Sequence, residues 1–244
     1  MNPVAVHYDL LLVVLSYAIS VFGAYTALQL AVAIPTATQR ALWGWLAGAA
    51  VAMGGGAIWS MHFIAMLAYK MAMPVSYDTG LTLASLLVAV LVTGLGLYVV
   101  GRGEASALKL AGGGLFTGLG VAGMHYTGMA AMVMPATLSY RPSLVGLSVV
   151  IAVVASIAAL WLAFNLRGNW QRFGSAFVMG AAVCGMHYTG MAAAILTPTQ
   201  RQAAVPAASI GAGDLALFVF VITAVLLTIA LAVTVRRRAL LSEA

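Results

Sequence analysis

Polarity along the chain alternates on a long wavelength. Seven apolar stretches, at about 9–34, 42–68, 80–100, 110–134, 144–164, 174–196 and 215–235, are separated by short segments holding the prolines, charges and turn residues. The separators run from Pro35 to Arg40, Lys70 to Asp78, Gly101 to Lys109, Pro135 to Pro142, Arg167 to Arg172 and Pro198 to Asp214. Each apolar stretch is about 20 residues or longer, enough to cross a hydrocarbon layer as a helix rising about 1.5 Å per residue. The pattern therefore predicts an all-α membrane protein with seven transmembrane helices. An outer-membrane barrel would instead show alternating segments of about 10 residues. No basic residue precedes the first stretch, which is also too long for a signal peptide's apolar region, so it is read as a retained helix.

Composition agrees. Of the 244 residues, 64% are apolar and 7% charged, against about 25% charged in a soluble domain. The net charge of +6 is spread over the separators, where basic residues set membrane orientation rather than bind nucleic acid. Arg40, Arg102, Lys109, Arg167, Arg172, Arg236, Arg237 and Arg238 fall on one side; Lys70, Arg141 and Arg201 fall on the other. This bias predicts the N-terminus outside and the C-terminus in the cytoplasm. The single cysteine, Cys184, excludes an intrachain disulfide and a multi-thiolate metal site.

One motif recurs. GMHYTGMAA occupies 123–131 and, letter for letter, 185–193; SMHFIAMLA at 60–68 is a weaker copy. The histidines are His62, His125 and His187, spaced 63 and 62 residues apart, on spans 2, 4 and 6. Two spans per interval make the copies parallel, unlike the inverted repeats of many transporters. The chain divides into repeats of about 9–74, 80–135 and 144–198 plus a seventh helix at 215–235, within a single domain covering 1–244. Pro74, Pro135 and Pro198 follow the histidines at similar distances. The three imidazoles are thus expected at one depth, roughly 15–18 Å of helix inward from the prolines.

These histidines are the only groups within the spans that titrate near neutrality, and polar groups at membrane depth usually face the interior and serve a function. At about 100° per residue, the methionine four positions on shares the histidine's face: Met66, Met129 and Met191. The methionines just before the histidines, Met61, Met124 and Met186, lie about a quarter-turn away. Imidazole and thioether without carboxylate form a soft-to-borderline ligand set suited to copper, one or two ions as Cu(I) or Cu(II). Zinc on three histidines is the alternative. Small residues at −2 (Ser60, Gly123, Gly185) and +3 (Ala65, Gly128, Gly190) permit close helix approach, as does Gly114-x-x-x-Gly118.

A purely structural reading stands beside the metal reading. Buried His, Tyr and Thr hydrogen-bond across helices, and methionine fills irregular gaps. Tyr126 and Tyr188 suit either hydrogen bonding toward the site or packing. Thr127 and Thr189 suit bonds to their own helix carbonyls. Cys184 and His7 are further candidate ligands.

The motifs resemble the MHYT domain, a bacterial membrane-sensor module named for the Met-His-Tyr-Thr at 124–127 and 186–189. The likeness extends to SYAISVFGAYTALQLA at 16–31 and IWSMHFIAMLA at 58–68; the first copy departs in Phe63 and Ile64. The resemblance implies a non-enzymatic sensory input domain. It would bind copper near the outer face through Met61, His62, Met124, His125, Met186 and His187, and sense oxygen, carbon monoxide, nitric oxide or redox state. It also implies a cytoplasmic signalling domain or partner of the cyclic di-GMP type, beside membrane lipid and no nucleic acid. The chain runs only about nine residues past the last span, which is read as no output domain within it. A copper store or transporter is a second reading, with Met71, Met73, Met132 and Met134 as entry ligands. Only Met53 and Met179 continue toward the inner halves, which favours a fixed site over a path. A metal-free helix bundle is a third reading.

Overall fold

A computed structural model describes residues 6–104, 106–166, 168–199, 206 and 208–242. Seven long helices dominate: α1 (Leu10–Ala31), α2 (Gln39–Ala68), α3 (Thr79–Gly101), α4 (Ala107–Ala130), α5 (Pro142–Asn165), α6 (Asn169–Ala193) and α7 (Ala212–Ser242). Among the described residues, α1 to α6 are long and apolar enough to cross a membrane; α7 is apolar in sequence from Leu215 to Val235. The protein is a multi-pass membrane protein. Arg201 and Arg167, used above to assign orientation, lie outside the described residues. Arg236, Arg237 and Arg238 continue α7 as helix instead of forming a tail.

The helices start where short polar side chains cap free backbone N–H groups. Asp9 accepts from Leu11 and Leu12 N–H, Asp78 from Leu81 N–H at 2.8 Å, and Ser106 from Lys109 N–H. At α5, Pro142 supplies the preset first-turn φ instead.

Neighbours in sequence are neighbours in space. Each of α1 to α6 packs on the next, and α6 returns to α1, closing a ring of six. Helix α7 stays outside the ring and packs on α2 and α1. This makes α2 the most enclosed helix, with 89% of its span buried, against 39% for α4 and 50% for α6. Gly114 and Gly118 face the α5 backbone at Ile157 and Val153, where a Cβ would collide. The small-residue reading of that pair is therefore correct.

Helix α2 has a local irregularity. Residues Val51–Ser60 form a π-helical segment containing Gly54, Gly55 and Gly56. Such wide turns leave a carbonyl to be satisfied by other donors; Ser60 Oγ donates to the Gly55 carbonyl at 2.8 Å.

Seven short strands, unforeseen in the sequence, gather at one end of the bundle. They are β1 (Val6–Tyr8), β2 (Tyr69–Met71), β3 (Ser76–Asp78), β4 (Met132–Val133), β5 (Ala136–Tyr140), β6 (Ala194–Pro198) and β7 (Ser209–Gly211). All pairings are antiparallel: β1 with β2, β3 with β4 and β7, and β5 with β6. Each histidine-bearing helix thus leads into a strand paired with the segment that opens α1, α3 or α5. This corrects two expectations. Spans 4 and 6 do not reach 134 and 196, because Met132–Val133 and Ala194–Pro198 are extended. The prolines do not end the helices either. The helices stop at Ala68, Ala130 and Ala193, because strand pairing takes over the backbone hydrogen bonds. From each histidine only about 8–9 Å of helix remains before the strands.

Candidate metal centre

The three histidines project from α2, α4 and α6 into the axis of the ring, and at most 1% of any of them is exposed. Their Nδ1 atoms converge. His62 Nδ1 lies 3.0 Å from His187 Nδ1 and 3.1 Å from His125 Nδ1. The rings stand edge to face in all three pairings, with centroids 4.9, 4.9 and 5.1 Å apart. The convergence follows from the spacing of the motif: parallel copies on alternate helices of a closed ring bring equivalent positions to one level on the axis.

The donor set fits a metal ion. A neutral imidazole carries one N–H and one lone pair, so at most one atom of each Nδ1···Nδ1 contact holds a proton. At least one lone pair therefore points at the centre in every arrangement of protons, and a cation there takes all three. Two nitrogens at about 2.0–2.1 Å from one ion lie about 3.3–3.5 Å apart, a few tenths of an ångström beyond the observed separations. The outward Nε2 atoms of all three rings are buried without a protein hydrogen-bond partner. Leaving such a group unpaired costs about 1–3 kcal/mol, a cost that leucine in the same place would avoid.

The +3 glycines are what lets the rings lie this way. A Cβ on Gly128 would collide with Nε2 of His62, and one on Gly190 with Nε2 of His125. Sequence reasoning took these glycines as points of backbone approach; the group they admit is the neighbouring helix's imidazole. In the first copy the +3 residue is the buried Ala65.

The six candidate methionines, Met61, Met66, Met124, Met129, Met186 and Met191, are all buried, none more than 2% exposed. Met186 also borders a cavity described below. His7 and Cys184 do not join the triad. His7 is exposed on β1 opposite Lys70, and Cys184 interacts with the Ser16 hydroxyl.

The motif tyrosines turn away from the centre. Tyr126 and Tyr188 lie edge-on against their own histidines, at 4.8 and 5.0 Å. Their hydroxyls reach the next helix of the ring: Tyr126 to Ser148 at 2.7 Å and Tyr188 to Ser16 at 3.2 Å. Phe63 occupies the same place beside His62 and has no hydroxyl. There Trp59 substitutes, its Nε1 donating to Ser85 Oγ at 3.0 Å. Thr189 bonds the Gly185 carbonyl of its own helix, as expected.

A second threefold pattern escaped the sequence reading. Tyr8, Tyr77 and Tyr140 stand just before α1, α3 and α5, and Ser16, Ser85 and Ser148 follow each by eight residues. The serines receive the hydrogen bonds just described. The tyrosines cover the motif rings at the strand end: Tyr8 on Tyr188, Tyr77 on Phe63 and Tyr140 on Tyr126. Burial pushes the Tyr8 and Tyr140 phenols up to about 12, assisted by neighbouring tyrosines. The eight-residue spacing was the available signal, obscured by the absence of any identical run around it.

A ring of membrane-spanning helices that repeats one motif to converge three imidazoles makes this a multi-pass membrane domain built around a buried histidine triad. The chain belongs to the MHYT family: the family described as "Bacterial signalling protein N terminal repeat" matches at residues 55–113, 118–176 and 180–243. Each match starts seven residues before a histidine of the triad. It is similar to the bifunctional diguanylate cyclase/cyclic di-GMP phosphodiesterase MucR of Pseudomonas aeruginosa, 46% identical over 93% of this chain and 34% of that protein. The cyclic di-GMP phosphodiesterase NbdA of the same organism is 36% identical over 82% of the chain and 27% of its own length. The signaling protein YkoW of Bacillus subtilis is 35% identical over 78% and 24%. The chain thus spans about a third or less of these relatives. No solved structure matches it.

Proposed function

We propose that this chain is the sensory input of a signalling system in a bacterial inner membrane, reading a diatomic gas or the redox state through copper held by His62, His125 and His187. The observation that carries this reading is the convergence of three buried Nδ1 atoms at 3.0 and 3.1 Å. Met66, Met129 and Met191, or Met61, Met124 and Met186, are the thioethers available to complete the set. This donor set favours soft copper over the hard cations, with zinc as the alternative. A Cu(I) ion held by these residues would supply a binding partner for a small π-accepting molecule such as carbon monoxide, nitric oxide or oxygen. The chain itself contributes ring orientation, through Gly128 and Gly190, and exclusion of water, through the aromatic pairs at the strand end.

The output leaves through α7. Ser60 accepts a hydrogen bond from Thr223 of α7 at 2.7 Å, and Trp59 packs edge-on against Phe218. Both α2 residues lie within three positions of His62, so a displacement of that imidazole acts directly on the seventh helix. The free energy for such a switch is the difference in ligand affinity between two helix arrangements. On the charge bias of the loops, the far end of α7 is cytoplasmic. The relatives named for cyclic di-GMP synthesis or breakdown support an output of that type for such an input.

The store or transporter reading has less support. Below the triad, among the described residues, the thioethers of Met53 and Met179 border a mostly aliphatic cavity, and no ladder of further ligands follows. The test of the proposal is infrared spectroscopy of the Cu(I)-loaded protein in nanodiscs under carbon monoxide. A C–O stretch that requires the three histidines supports it, and no band in fully loaded protein refutes gas binding.

A further inference from the structure

A cavity of about 60 Å³ lies inside the ring, on the side of the triad away from the strands. Ile58, Val121 and Val183 border it, and each stands four residues before a triad histidine, one helical turn away. The walls are otherwise mostly alanine, leucine and methionine, including Ala155 and Ala159 of α5. Three hydroxyls line it. Thr93 Oγ1 is engaged with the Ala89 carbonyl at 2.7 Å and Thr117 Oγ1 with the Val92 carbonyl at 3.3 Å, which leaves that of Ser156 as the one group for a polar guest. Water in a buried site needs two to four polar partners, whereas apolar cavities stay dry and take apolar guests such as xenon.

We propose that this cavity is a docking site for one small uncharged apolar molecule of diatomic size, held one helical turn from the three imidazoles. The volume is well below the roughly 150 Å³ of a cavity that admits benzene, so ring compounds are excluded. The aqueous approach from the strand end is covered by the pairs Tyr8–Tyr188, Tyr77–Phe63 and Tyr140–Tyr126. Part of the cavity wall, at Ala155, Ala159, Ala182 and Val183 of α5 and α6, is only half-buried. A gas dissolved in the lipid therefore has a nearer route to the triad than one from water. The link to sensing rests on the metal reading; the docking itself does not.

Methionine methyl NMR with xenon is the test. Met53, Met179 and Met186 border the cavity, whereas Met71 and Met73 lie at the strand end. Full-length protein carrying 13C-methyl methionine is titrated with xenon in nanodiscs, and copper content is measured on the same sample. Saturable shifts at Met53, Met179 and Met186, with Met71 and Met73 unmoved, are expected with or without copper. Ala155→Phe should abolish them by filling the space from the half-buried wall; Ala182→Leu is the second filling variant should the first not fold. Absence of saturable shifts in the parent overturns the proposal. So does their persistence in a folded filling variant, or an acyl chain found occupying the space. Xenon shifts in protein that takes up no copper after Cu(I) loading under reducing conditions would leave the docking intact and overturn the metal reading alone.

Discussion

Helix α2 and its counterparts α4 and α6 carry the same imidazole to the same place, yet only α4 and α6 share an identical motif. The difference lies in their outer neighbours. Ser60 of α2 is buried against Thr223 of α7, while the equivalent Gly123 and Gly185 have open space where a side chain would go. Trp59 is enclosed by Ser85, Phe63 and Phe218; Ala122 and Cys184 stand at its position in the other copies. The seventh helix thus accounts for Ser60 and Trp59, two departures of the first copy from the other two. What survives in all three copies is the Met-His pair and the methionine four residues on. Identity follows a shared environment, and the residues kept despite a changed environment mark the centre.

Breaking the centre should have the largest effect. Gly128→Val or Gly190→Val pushes a side chain into His62 or His125, and copper affinity should fall by about 10–100-fold, the range seen when support of a ligand is lost. Competition with a Cu(I) chelator measures this. Breaking the α2–α7 seam comes next: Thr223→Val should lose about 1 kcal/mol of stability, read by thermal unfolding in detergent. Gly123→Ser and Gly185→Ser, which place the first copy's residue in the open positions, should stay within about 0.5 kcal/mol. An equal loss from all three would dissolve the contrast between the copies. Tyr126→Phe should cost about 0.6 kcal/mol, the average for hydrogen bonds between membrane helices, and leave metal content unchanged.

The last effect appears only at alkaline pH. Tyr8 and Tyr140 are raised from 10.0 to about 12, mainly by burial. Above pH 10 the unfolded chain releases these protons first, so it binds fewer than the folded chain and stability falls. Their contribution is intact below pH 10 and lost as pH rises toward 12. Ultraviolet titration should show this late phenol ionisation, and Tyr8→Phe should remove part of it.

The helices, their order and the three imidazoles at one depth were legible because each rests on a long apolar run or on a repeated motif. The strands were not. Segments such as Tyr69–Met71 and Ser76–Asp78 are too short to show a period of two, and their pairing is set by where the helices end. The position of α7 was equally hidden: nothing in its apolar run distinguishes packing outside the ring from packing within it. At the centre, the motif singled out both the histidine and the glycine three residues on, but sequence spacing could not tell a glycine facing backbone from one facing an imidazole. The motif tyrosine hydroxyls went to Ser16 and Ser148, each eight residues after a strand-end tyrosine, a pattern written in single letters far apart.

The central claim is that His62, His125 and His187 form one metal centre. Metal per chain, measured by mass spectrometry on detergent-purified protein after Cu(I) loading under reducing conditions, tests it most directly. The comparison is with a folded His62→Ala, His125→Ala, His187→Ala variant. Stoichiometric copper in the parent and none in the variant is the predicted result; equal copper in both, or none in either, would contradict the claim.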